Sequence, residues 1–222
     1  MNSLSTNTKS LLKIKSEIIV PPQSTVVLVH GLASNRLDMS LFSYRLKRIG
    51  YKVVNWGYPS IRKSNADHGN ALADRLRKSD LLGRADERIH IVAHSMGCIV
   101  TRCALLNFIP SNLGRVVMLA PPNGGSHTAR VLSPWLGWLS KTLTEITDDK
   151  DSFVNQLPTL KGVDFGVLAA SRDRVIERTR TRLKGESDFA VVETGHGVMP
   201  WNREAVNLTH RFLTLGTFHR YS

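Results

Sequence analysis

Short apolar runs recur along the chain, separated by segments in which apolar residues follow helical spacing. The first run, residues 25–30, is mostly β-branched and stops at Gly31, as expected for a strand buried on both faces of a parallel sheet. The same pattern predicts further strands at residues 52–56, 89–93, 116–120, 163–170 and 189–192. Helical spacing predicts helices at residues 41–49, 66–82, 96–108 and 202–213. Because strands and helices alternate, we expect an α/β fold with a mostly parallel sheet and helices on both faces.

The domain organisation follows from the length and from one break in this alternation. With 222 residues and 41% apolar content, the chain can form one core but is short for two domains of ordinary size. We expect a single domain over residues 21–222 with a cap or lid inserted at 126–160, where a Trp- and Leu-bearing segment replaces the expected helix. Residues 1–20 are predicted to be loosely structured. They contain no apolar run long enough for a signal peptide or a membrane span, which favours a cytoplasmic protein.

The formal charge of +12 would attract anionic partners such as nucleic acid, phospholipid headgroups or acidic polysaccharide. The basic residues are scattered and are not interleaved with aromatic residues, which argues against nucleic acid and favours a solvated basic surface. Cys98 and Cys103 are five positions apart on one predicted helix, so their side chains diverge and cannot form a disulfide. No histidine pair or carboxylate cluster has metal-ligand spacing, and no glycine-rich phosphate loop is present, so neither metal nor cofactor is expected.

The candidate nucleophile is Ser95, within Ala93-His94-Ser95-Met96-Gly97, between a predicted strand and an apolar helix. A serine on a tight strand-to-helix turn has an exposed hydroxyl, and small residues on either side let the strand and helix approach closely. As a bare five-residue pattern this is weak evidence. Its position between a buried strand and a helix makes it a nucleophile elbow, with Ala93 replacing the usual first glycine.

A serine nucleophile needs a base, and functional groups of a parallel sheet collect at the carboxyl ends of its strands. His196 follows the last predicted strand between two glycines, which makes it the candidate base. His68 and His90 are expected at the wrong ends of their elements, and His94 is expected to point away from Ser95 and pack in the loop.

The third member should be a carboxylate that lies between serine and histidine in the chain and orients the imidazole. Asp173 follows the strand at 163–170 and is the candidate, although between Arg172 and Arg174 it could also be a turn residue. Asp164 and Asp188 precede their strands and are expected at the opposite edge of the sheet. The amides of Leu32 and Met96 are predicted to form the oxyanion hole; the alternative for the adjacent Gly31 is an ordinary strand-ending turn.

Over residues 24–218 the chain resembles the small bacterial α/β-hydrolase lipases and esterases. The resemblance rests on Val-His-Gly-Leu at 29–32, Ala-His-Ser-Met-Gly at 93–97 and Gly-His at 195–196, with support from segments at 58–60, 120–126 and 212–218. It implies an α/β-hydrolase fold and serine ester hydrolysis without a metal, through an acyl-enzyme. By the same mapping Ser95, Asp173 and His196 take the triad roles. Cys98 departs from the pattern, since such enzymes often have a second glycine there.

Four residues are predicted to contact a small-molecule or lipid ester substrate: Gly31, Tyr58, Trp135 and Trp138. The two tryptophans belong to an apolar stripe in the predicted cap, which would line an acyl pocket or meet an anionic membrane as a peripheral contact. The alternative is that both tryptophans simply cover the core.

Three functions remain open from the sequence. The first is a carboxylesterase or lipase. The second is an acyltransferase that uses the same triad. The third is a non-catalytic binding protein on this fold, which the intact set of Ser95, Asp173 and His196 argues against.

Overall fold

The computed structural model describes residues 24–78, 87–136 and 141–219, without the side chains of 132–136 and 141. The predicted loose segment at 1–20 and the end of the helix predicted at 66–82 lie outside these residues. No helix in the described ranges is long and apolar enough to cross a membrane.

Six parallel strands form one sheet in the order β2-β1-β3-β4-β5-β6. The strands are β1 (Thr25–Val29), β2 (Lys52–Trp56), β3 (Ile89–His94), β4 (Leu113–Leu119), β5 (Asp164–Ala170) and β6 (Asp188–Val192). Every predicted strand is present. The largest difference is at β4, which begins three residues earlier than predicted because Leu113 and Arg115 pair with the neighbouring strands.

The helices cover both faces of this sheet. Those that follow β1, β2 and β3 are α1 (Ser40–Ile49), α2 (Asn65–Lys78) and α3 (Met96–Asn107). Between β4 and β5 lie α4 (His127–Leu136), α5 (Lys141–Glu145) and α6 (Phe153–Gln156). The last two are α7 (Arg178–Thr181) and α8 (Arg203–Leu215), with a 3₁₀ turn (Met199–Trp201) just before α8.

Alternating side chains of the strands feed two separate cores. Val27 and Val29 of β1 point to the core covered by α2 and α3, whereas Val26 and Leu28 point to the core covered by α1 and α8. All four valine and leucine side chains are at most 1% exposed. Burial on both faces explains why these strands are continuous apolar runs rather than alternating ones.

A buried arginine attaches the segment between β4 and β5 to α3. Arg102 of α3 is 1% exposed, and it donates hydrogen bonds to the Asn123 side-chain oxygen and to the carbonyls of Leu157 and Pro158. Buried charge is tolerated only where hydrogen-bond acceptors replace water. These contacts therefore hold both ends of the segment between β4 and β5 against α3.

Candidate active site

Ser95 lies between the end of β3 and the start of α3, in a backbone conformation that few residues other than glycine adopt. Its φ is 53° and its ψ is −127°. Its amide donates to the Leu119 carbonyl at 2.9 Å, which ties the turn to the neighbouring strand. A Cβ at Gly97 would overlap the carbonyl oxygen of His30 and lie 2.6 Å from that of Val29. The absence of a side chain at Gly97 thus lets α3 start directly against the end of β1.

A continuous chain of contacts joins three side chains that are distant in sequence. The Ser95 Oγ is 2.9 Å from His196 Nε2, and His196 Nδ1 is 2.7 Å from Asp173 Oδ2. Because an ionised carboxylate only accepts, the proton belongs on Nδ1 when the ring is neutral. Nε2 is then free to accept the hydrogen bond of the Ser95 hydroxyl.

Asp173 is held by its own loop as well as by His196. Its Oδ1 accepts from the amides of Val175 and Ile176, each at 2.8 Å, and its side chain is only 3% exposed. Burial opposes ionisation, but the hydrogen bond and positive charge of His196, together with the two amides, hold the pKa of Asp173 below its usual value. The carboxylate therefore stays charged beside the imidazole at neutral pH.

The loops after β5 and β6 bring Asp173 and His196 together. The amide of Ser171 donates to the Val192 carbonyl at 2.9 Å, and that of Arg172 donates to the Thr194 carbonyl at 3.0 Å. These bonds continue the pairing of the two strands beyond their ends. The sheet thus fixes the separation of the two side chains.

The Ser95 hydroxyl lies at a cleft of about 180 Å³. Gly31, Leu32, Ser95 and His196 are among the residues that line it. A Cβ at Gly31 would lie 3.2 Å from the Ser95 Cβ, so the turn after β1 packs directly on the elbow. Met96 is the first residue of α3, where helix amides have no intrahelical partner. Among the described residues, neither the Leu32 nor the Met96 amide donates a backbone hydrogen bond.

Tyr58 is not among the described residues that line this cleft, and its predicted contact with substrate stays a prediction. Its side chain is buried, and its hydroxyl donates to the His30 carbonyl at 2.8 Å. Its ring stacks between His30 and Trp56, with centroid distances of 4.4 and 4.7 Å. Tyr58 therefore packs in the core, where its contacts with His30 support the end of β1 next to Gly31.

His68 was expected at the wrong end of its element, and this expectation is wrong. It lies in the first turn of α2, which begins at the same edge of the sheet as Ser95, and its ring meets that of Tyr58 edge-on at 4.7 Å. The ring is buried, and burial lowers its pKa. His90 is at the opposite edge, as predicted.

The remaining two predicted substrate contacts cannot be placed. The Trp135 side chain and all of Trp138 lie outside the described residues. The predicted apolar stripe therefore stays a prediction.

His94 is the residue whose importance the sequence did not reveal. It lines the cleft together with Ser95 and contacts the base: Nε2 is 3.1 Å from the His196 carbonyl oxygen, and the two rings are 5.2 Å apart. Burial, together with the neighbouring His196, lowers the pKa of His94 to about 3. A neutral ring can donate to that carbonyl, so His94 supports the loop that carries His196.

Fold and sequence comparisons place the molecule among α/β hydrolases. The model of the alpha/beta hydrolase family matches residues 26–182, so the chain belongs to that family. This confirms the predicted fold class. No curated protein matches the chain.

Solved structures with the same fold include lipases and esterases at low identity. The mature form of Bacillus licheniformis lipase BlEst2 has a TM-score of 0.70 and 19% identity, over 90% of this chain and 95% of that one. Aspergillus fumigatus lipase B has a TM-score of 0.67 and 17% identity, over 86% of this chain and 52% of that one. The metagenomic carboxyl esterase MGS0156 has a TM-score of 0.63 and 15% identity, over 80% of this chain and 66% of that one.

Proposed function

We propose that this protein is a serine hydrolase that cleaves carboxylic esters through an acyl-enzyme. The observation that carries the proposal is the contact chain from Ser95 Oγ through the His196 imidazole to Asp173, with distances of 2.9 and 2.7 Å. A nucleophile, a base within reach of its proton and a group that orients the base are the parts that acyl transfer requires.

In the proposed reaction, Ser95 Oγ attacks the ester carbonyl carbon while His196 Nε2 takes the hydroxyl proton. The negative charge that develops on the carbonyl oxygen is stabilised by the amides of Leu32 and Met96, with the positive end of the α3 dipole behind them. Asp173 keeps the imidazole in the correct tautomer and stabilises its charged form. When the tetrahedral species collapses, His196 returns its proton to the departing alkoxide, leaving the acyl group on Ser95.

Water completes the cycle by the same steps in reverse order. His196 takes a proton from the water as it attacks the acyl carbon, and then protonates Ser95 Oγ as the carboxylic acid is released. If an alcohol, amine or thiol replaced water at this stage, the protein would be an acyltransferase. The product analysis below separates the two reactions.

A fluorophosphonate probe tests the proposal directly, because it labels only a serine that its base has activated. We expect stoichiometric labelling of the full chain, no labelling of Ser95→Ala, and hydrolysis of short nitrophenyl esters that is lost in the same variant. Ser171→Ala, at an exposed position in the β5 loop, is the matched control. A folded parent protein that takes no label would refute the proposal, as would equal labelling of Ser95→Ala. Ester products formed in the presence of an added alcohol would point to acyl transfer instead.

A further inference from the structure

A surface beside the candidate active site combines exposed apolar side chains with arginines. We call it the apolar–basic face. Its apolar members are Leu37, Leu41, Tyr44, Val198 and Trp201, and its basic members are Arg45, Arg48 and Arg203. Leu37 is 74% exposed, Tyr44 55% and Trp201 51%. Large apolar side chains grouped in this way on a surface mark an interaction site more often than scattered ones do.

Hydrogen bonds make this face continuous. The Trp201 indole donates to the Asp38 carbonyl at 3.1 Å, which joins the 3₁₀ turn to the loop that carries Leu37. Arg45 of α1 donates to the Trp201 carbonyl, which joins the same turn to the helix. Leu41 and Arg45 are four residues apart and therefore lie on one side of α1. The face thus spans the β1 loop, α1 and the start of α8.

A basic groove of about 380 Å³ lies between α1 and α8 at one side of this face. Three arginines line it, Arg45, Arg48 and Arg203, and no acidic side chain of the described residues does. The Arg48 guanidinium also donates to the Tyr44 hydroxyl at 3.2 Å, which places the charge next to an exposed aromatic ring. Arginine binds phosphate oxygens in a bidentate manner, so the groove suits a phosphate diester.

We propose that the apolar–basic face docks the protein onto a bilayer containing anionic phospholipid. Aromatic and leucine side chains insert at the headgroup level of a membrane, and adjacent arginines bind the lipid phosphates. Apolar anchors beside a basic groove fit a lipid surface, which offers both chemistries in one plane. A nucleic acid would use the arginines but would leave Leu37 and Leu41 in water.

The orientation of this face gives docking a consequence for chemistry. Asp38, which follows Leu37, and Pro200, which precedes Trp201, both line the cleft at Ser95. A membrane that contacts Leu37 and Trp201 would therefore lie across the cleft entrance. This consequence rests on the proposed ester hydrolysis, whereas membrane docking itself does not.

Vesicle flotation with the Ser95→Ala full chain tests docking without hydrolysis. We expect the protein to bind vesicles of phosphatidylcholine mixed with phosphatidylglycerol, to bind phosphatidylcholine alone weakly, and to lose binding as salt is raised. Each basic residue near an anionic surface contributes about fivefold in affinity, so Arg48→Gln/Arg203→Gln should reduce binding by about 25-fold. Leu37→Ser/Leu41→Ser should also weaken it.

Matched controls exist at the opposite edge of the sheet. Arg88 and Lys161 are exposed and precede β3 and β5, and Leu106 and Ile109 are 40% and 44% exposed near the end of α3. Arg88→Gln/Lys161→Gln and Leu106→Ser/Ile109→Ser should bind as the parent does. Equal losses in the control and face variants would overturn the proposal, as would a parent that does not float with anionic vesicles.

Two further measurements separate the alternatives. If duplex DNA binds tightly and Leu37→Ser/Leu41→Ser does not change vesicle binding, the face is a general polyanion site and membrane docking is wrong. Hydrolysis is then measured in the protein that keeps Ser95. There Arg48→Gln/Arg203→Gln should slow hydrolysis of an ester embedded in anionic vesicles but not hydrolysis of a soluble nitrophenyl ester. If the variant loses hydrolysis of both esters, weaker docking does not explain the slower hydrolysis in vesicles. If the parent hydrolyses neither ester, the hydrolase proposal is refuted, and the flotation result alone decides whether the protein docks.

Discussion

Acid should destabilise the folded protein through His94, and the expected size follows from its burial. His94 is 8% exposed, and burial is the main reason that its pKa falls from 6.5 to about 3. The folded state therefore binds its proton less readily than the unfolded chain does, so stability is lost as pH falls below 6.5. Between about pH 7 and about pH 5 the unfolded chain gains about 0.7 of a proton here while the folded protein gains almost none, which costs about 2 kcal/mol.

Urea unfolding of the parent and of His94→Gln at the two pH values isolates this contribution. Glutamine does not titrate, so the variant should lose about 2 kcal/mol less than the parent over this interval. If both proteins lose the same free energy, the His94 ring is not held neutral in the folded state and the reasoning fails.

His90 provides the matched control for activity. It is equally buried, at 4% exposure, its pKa is lowered to about 4 chiefly by burial, and it lies at the far end of β3. His90→Gln should reduce the acid sensitivity by a similar amount but leave ester hydrolysis unchanged. His94→Gln should lower kcat as well, because its ring contacts the His196 carbonyl. Equal kcat values for the two variants would contradict a positioning role for His94.

Two further substitutions test the contacts among Ser95, His196 and Asp173 and the tight turn between β3 and α3. Asp173→Asn should lower kcat by about four orders of magnitude and keep the fold, because the amide oxygen can still accept from the loop amides but no longer favours the productive tautomer of His196. Steady-state kinetics measures this, and a kcat near that of the parent would exclude a catalytic role for Asp173. Gly97→Ala should reduce the free energy of unfolding by about 1–3 kcal/mol, since its Cβ would press on the carbonyls of Val29 and His30. Urea unfolding measures this free energy. The control is Gly197→Ala, whose Cβ meets no atom within 4 Å, and equal stabilities of the two variants would refute the packing argument.

The sheet could be predicted from the sequence because its strands are buried on both faces. Such strands must be apolar at every position. A short apolar run of mostly β-branched residues, such as Val26 to Val29, therefore favours a buried strand over a helix. The start of β4 was less predictable, since Gly114 and Arg115 interrupt the apolar pattern where the strand reaches solvent. There Arg115 pairs with Asp164 at 2.7 Å, a contact between residues 49 positions apart that no local pattern encodes.

The contacts between Ser95, His196 and Asp173 could be predicted from the elbow motif together with the topology of the sheet. Each residue follows a strand of one parallel sheet, and the carboxyl ends of such strands converge at a single edge. The sequence therefore predicts the edge of the sheet at which these three side chains meet.

The packing and orientation of the side chains at that edge could not be predicted from the sequence. Tyr58 and His68 both lie at the same edge as Ser95, yet their rings are stacked or packed in the core, and neither is among the described residues that line the cleft. His94, which adjoins the nucleophile, faces the base instead of the hydroxyl. Strand order predicts which residues are neighbours, but rotamers and ring packing decide which of them meet a substrate. A residue at the active edge is therefore a candidate for catalysis only when its polar atoms are also directed at the reacting group.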